Sequence, residues 1–151
     1  MKLSTWFPAS TEGQKMALRT FIILLFLLCF ASCKKKAPLD YFPVEERGGN
    51  IVMREFARDS EKSSHYVLMN GAERPHFHDR HSFIVRLVSG RNRLHLVSAT
   101  HELAPGETMR IEKGALHWAE NVGPGFSILQ VDFYPPFDGT DRRFAEVELK
   151  L

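Results

Sequence analysis

Cysteine is nearly absent: the 151-residue chain has two, Cys29 and Cys33, and none after position 33. This excludes a disulfide framework and a cysteine-based zinc site in the body of the protein, and leaves no thiol for nucleophilic catalysis there. No Gly-x-Ser-x-Gly elbow occurs, and no Gly-rich loop precedes a helix to cradle phosphates. After residue 50 no segment carries a helical apolar stripe of useful length. Charge of one sign is also lacking, with a formal net charge of +2. Residues 1–32 hold Lys2, Lys15 and Arg19 against Glu12 alone, which leaves the remainder with seventeen basic and seventeen acidic residues. A balanced domain has no electrostatic footprint for nucleic acid, so none is expected as a partner. The length suits one ordinary domain.

A run long enough to span a bilayer is missing as well. Residues 21–32 read Phe-Ile-Ile-Leu-Leu-Phe-Leu-Leu-Cys-Phe-Ala-Ser, short of the roughly 20 apolar residues a comfortable span requires. Preceded by Arg19, the run fits the apolar region of a secretory signal. Ala31 and Ser32 lead into Cys33 and three lysines, and this resembles a bacterial lipoprotein signal. The resemblance implies that Cys33 is lipidated, for example with palmitate, and becomes the mature N-terminus. Phe30 stands where the pattern prefers Leu, and Leu28 makes Cys29 a poorer acceptor. Met16 is an alternative start, which would shorten a long polar leader, and an uncleaved anchor is the alternative to cleavage. Both place the body in the cell envelope, tethered to a membrane and facing away from the cytoplasm. The expected organisation is a signal peptide over 1–32, a Pro- and Lys-containing linker over 33–50 and a domain over 51–151.

The domain reads as short strands. Residues 51–57 fit strand or helix, with strand preferred. Residues 65–69 read as a strand ending at Asn70-Gly71, and 83–88 are strongly β. Residues 93–98 alternate as a strand with one buried face. A strand is predicted at 108–111, a turn at Lys113-Gly114 and a long last strand at 126–133, ended by Pro135-Pro136. Strands at about ten-residue spacing predict an all-β sandwich or barrel.

Histidine is what this domain has in a pattern. His76 and His78 form a His-x-His pair whose side chains share one face of a strand. His81 follows, and His117 lies in a distant block. Imidazoles converging from separate strands suit zinc, iron, copper or nickel. His65, His95 and His101 have no such supporting neighbours, and sheet-surface roles are expected for His95 and His101.

The two blocks resemble the two motifs of the cupin superfamily. Gly106, Gly114, His117 and Asn121 match the second motif, with Glu112 in place of its proline. His76, His78 and Gly90 match the first, while Gly71 is one residue too close and Phe83 occupies the glutamate position. The match covers about residues 65–137, and the Pro-Pro-Phe-Asp-Gly-Thr-Asp run at 135–141 looks like the tail of small single-domain cupins. The resemblance implies a double-stranded β-helix, or jelly roll, with a divalent metal (zinc, iron, copper, nickel or manganese) held by His76, His78 and His117. Phe83 cannot ligate. On a continuous strand His81 would share its face and replace the carboxylate, with Asp79 as a second choice. Phe83 and Trp118 are candidates to line a pocket. The resemblance further implies a small-molecule ligand and pairing through sheets as a homodimer. Function stays open between a binding module and a metal-dependent dioxygenase, isomerase or lyase. Glu112, Glu120 and Tyr134 are the general bases in view.

Overall fold

The computed structural model describes residues 35–146. The signal-like segment and Cys33 lie outside them. Among the described residues no helix is long and apolar enough to cross a membrane.

Among the described residues ten strands form two antiparallel sheets: β1 (Ile51–Arg58), β2 (Ser63–Met69), β3 (His76–Phe77), β4 (Ser82–Ser89), β5 (Asn92–Leu96), β6 (Thr100–Leu103), β7 (Thr108–Ile111), β8 (His117–Asn121), β9 (Ser127–Tyr134) and β10 (Arg143–Phe144). One sheet has the order β1-β2-β9-β4-β7 and the other β10-β3-β8-β5-β6. Neighbours in each sheet are mostly distant in sequence, the wrapping of a double-stranded β-helix, as expected. Residues 51–57 resolve to strand, and 108–111 is a strand over the predicted residues. The 93–98 segment stops pairing at Leu96, and β6 and β10 went unread because they are short and carry little apolar alternation.

Alternation along the strands builds the core. Val67, Met69, Phe83, Val85, Leu87, Leu129, Val131 and Phe133 come from the first sheet. They face Leu94, Leu103 and Ala119 of the second. Each large apolar side chain so buried is worth about 1.5–3 kcal/mol before entropy is counted. The β4–β5 turn requires a glycine: Gly90 has φ +87°, and a Cβ there would lie 2.8 Å from Ser127 Cα.

The segment read as linker is packed rather than extended. Pro38–Tyr41 and Val44–Glu46 form short 3-10 turns. Tyr41 packs on Phe56 and Tyr66, with ring centroids 5.9 and 5.2 Å away, and Phe42 is buried. The cause is β2, which is buried on both faces. Its outward Leu68, paired with Ile128 of β9, needs cover that the main core cannot supply.

Candidate metal centre

His76 of β3 and His117 of β8 are directly opposite each other in the sheet. His78 lies one residue past the end of β3 and turns to the same side. The three ring centroids are 4.4 Å (His76–His117), 5.1 Å (His76–His78) and 5.5 Å (His78–His117) apart. One ligand atom from each lies within 4.8 Å of the others. All three side chains are buried.

The tautomers are set by the backbone. His76 Nδ1 donates to the carbonyl of Arg74 at 2.8 Å, and His117 Nδ1 to that of Ala115 at 2.9 Å. His78 Nδ1 faces Asp141 Oδ2 at 3.8 Å and has no hydrogen-bond partner. His76 and His117 thus have Nδ1 hydrogen-bonded to a carbonyl and Nε2 left free, the arrangement by which outer partners orient metal-binding imidazoles. Burial holds all three rings below the ordinary histidine value of 6.5, to about 4 for His76, about 3 for His78 and about 4 for His117. At neutral pH the centre presents three uncharged lone pairs. A transition metal fits this donor set.

The carboxylate position is sealed by Phe83. Its ring lies 5.0 Å from that of His117 and 5.4 Å from that of His78, and it lines the cavity. His81 does not complete the cluster. A bend at Asp79 and Arg80 separates it from β4, so the face alternation of a continuous strand does not apply. Its Nδ1 bonds Asp141 Oδ2 at 2.5 Å and its Nε2 lies 3.3 Å from the carbonyl of Pro136. His81 groups with His78 and Asp141 instead. Asp141 also accepts from the backbone N–H groups of Asp79, Arg80 and His81 at 3.0–3.2 Å. Burial opposes its ionisation, but the His81 and Arg80 hydrogen bonds outweigh this and hold the carboxyl at about 2. Asp79 is turned away, paired with Arg143 at 2.8 Å.

Trp118 does not line the cavity. As the neighbour of His117 on β8 it points to the other face, where it stacks on His95 at 4.5 Å between centroids. Glu112 pairs with Arg110 and Glu120 with His95 and Arg93. Neither these nor Tyr134 lines the cavity. Two residues that the sequence reading passed over do. Glu73 and Arg142 border it together with the three histidines, Phe83 and the apolar side chains of both sheets. Burial pushes the Glu73 carboxyl up, against the opposing pull of Arg142 and the Ala119 N–H. Its place three residues before His76 was the available signal; Arg142, far along the chain, had none. The enclosed space is about 50 Å³, room for a metal ion and a few light atoms.

No family model matches the sequence. An uncharacterized protein of Aquifex aeolicus is 31% identical over 101 residues, which are 65% of this chain and 83% of that one. The two belong to one family. Among solved structures, KdgF from Halomonas sp. is 26% identical, with a TM-score of 0.57 over 66% of this chain and 88% of that one. An RmlC-like cupin from Shewanella frigidimarina is 22% identical, with a TM-score of 0.52 over 58% and 78%. The chain has the double-stranded β-helix fold seen in cupins. A double-stranded β-helix protein from Klebsiella pneumoniae extends the likeness of fold, at 18% identity and a TM-score of 0.60 over 76% of this chain and 99% of that one. This chain holds the three histidines in a buried cluster with the Phe83 ring beside them.

Proposed function

We propose that this cupin is tethered to the membrane through a lipid on Cys33, binds a divalent transition metal through His76, His78 and His117, and binds a small molecule in its barrel. The observation that carries the metal is the convergence of three buried, uncharged imidazoles, two of which already bond a backbone carbonyl through Nδ1. Three neutral ligands leave the full charge of the ion and an open coordination position. A bound metal there supplies Lewis-acid polarisation of an oxygen donor.

The second reading is an enzyme, a metal-dependent dioxygenase, isomerase or lyase. Glu73 favours it. Its carboxyl, pushed up by desolvation, is an acid–base group in the wall of the histidine cavity.

The test is the metal content of the full-length chain, prepared without a His-tag, by elemental mass spectrometry, with His117→Ala in parallel. Near one equivalent in the wild type, lost in the variant, is the expected result. No metal in either sample after reconstitution refutes the metal reading. Cell fractionation of Cys33→Ser tests the tether, and the protein should leave the membrane fraction.

A further inference from the structure

The arginines of the domain are mostly engaged. Arg143 grips Asp79, Arg80 grips Asp138, Arg58 grips Glu55, Arg93 grips Glu120 and Arg110 grips Glu112. Arg142 differs. Among the described residues its nearest carboxylate oxygen is Glu73 Oε1, 3.9 Å from Nη2, beyond hydrogen-bond range. The residue lines the histidine cavity, and its charge helps depress the pKa of all three imidazoles. Among the described residues the Arg142 guanidinium thus has no hydrogen-bonded carboxylate, and it borders the same space as the three imidazoles.

The cavity does not end there. Ile51, Glu73 and Arg142 border both the enclosed space and a surface recess completed by Asn50, Ala72, Arg74 and Phe144. Arg74 lies over the Phe144 ring at 4.4 Å, so this vestibule holds two guanidinium groups. The vestibule measures about 200 Å³ against about 50 Å³ inside. The interior takes a few atoms, and the bulk of any larger ligand must lie outside, against Arg142 and Arg74.

We propose that the ligand is a small organic acid whose carboxylate is held by the fork of Arg142 at the cavity mouth, while an oxygen donor at its other end enters the histidine cavity. This rests on the metal reading above. Three physical features select the class. Uncharged imidazoles do not compensate a dication, so the loaded centre draws anions. A planar guanidinium matches a planar carboxylate through two parallel hydrogen bonds. Glu73 Oε1 stands 3.9 Å from Arg142 Nη2, too far to occupy the fork with a hydrogen bond.

The experiment uses the zinc-loaded full-length chain, with metal content measured on every sample. Hydroxy acids and dicarboxylic acids from glycolate to adipate are titrated by calorimetry, beside their neutral amides and inorganic phosphate. At least one acid should bind, and its amide should not. Arg142→Gln should retain wild-type metal content and weaken that acid about tenfold or more, with Arg142→Lys in between. Binding by no acid, equal binding of acid and amide, or undiminished binding in Arg142→Gln overturns the proposal. Phosphate binding as tightly as the best acid overturns the carboxylate assignment. A wild type that cannot be loaded with metal refutes the underlying metal reading instead, and the content measurement separates the two.

Discussion

Lowering the pH should unfold the metal-free protein over a window set by its three cavity histidines. The folded rings titrate at about 4, 3 and 4 and the unfolded ones at 6.5. Between those limits the unfolded chain binds protons that the folded chain refuses. Stability is therefore full above the unfolded value and is lost as pH falls toward the folded ones. Near pH 5.5 each ring takes up nearly one proton on unfolding, so the three together should change stability by on the order of 3–4 kcal/mol per pH unit. By about pH 5 the accumulated loss is on the order of 5 kcal/mol, comparable with the whole stability of a small domain. His65, also held down chiefly by burial, acts in the same direction. Asp141 enters only below its ordinary value of 3.8. Urea denaturation of chelator-treated protein, repeated in steps from about pH 7.5 to 4.5, measures the slope. His78→Gln should reduce it by about one proton. A wild-type slope below one proton near pH 5.5, or an unchanged slope in the variant, would refute burial as the state of these rings.

Three further outcomes follow from the packing. Asp141→Ala should cost about 3 kcal/mol or more, because three backbone N–H groups and the His81 ring lose their acceptor. Urea unfolding of both proteins at about pH 7.5, where the carboxylate is ionised, measures that difference. Phe42→Ala should cost about 3–5 kcal/mol by thermal or urea unfolding, since the side chain is 1% exposed; a loss below about 1 kcal/mol would show that the 38–46 segment is dispensable. Phe83→Glu should lower the stability of the metal-free chain yet raise its zinc affinity by about tenfold or more, measured by chelator competition, by restoring a carboxylate beside His78 and His117.

The fold was legible because each determinant was local. Alternation marked the long strands, and glycines marked turns such as Gly90 and Gly114. The histidines were legible because their spacing combines strand periodicity with a known pair of motifs. His81 was misplaced because a bend of two residues, Asp79 and Arg80, changes which face a side chain takes, and the sequence at the bend carries no proline or glycine to announce it. Trp118 follows the alternation rule once β8 is known to begin at His117. Phe42 was hidden in a polar, lysine-rich stretch, and only the outward burial of Leu68 explains its role. Arg142 could not be read at all. It reaches the cavity because the tail folds back to pair β10 with β3, a contact between residues more than sixty positions apart.

The pairing of β3 with β8 rests on one opposed couple, His76 and His117. Bonds from the Glu73 N–H to the Ala119 carbonyl and from the Gly114 N–H to the His78 carbonyl flank it. An ion gripping both rings would rivet this narrow hem, and β10, stitched only to β3, would be fastened with it. The cheapest way to open the cavity is then to unzip the hem sideways, leaving the five strands of the other sheet intact. Release of the ion becomes a peeling event, governed by amides that hydrogen exchange can follow at residues 76–78 and 143–145. Arg142 sits at the start of the flap that must lift, so an occupant on that arginine would slow the escape of the ion by holding the flap shut.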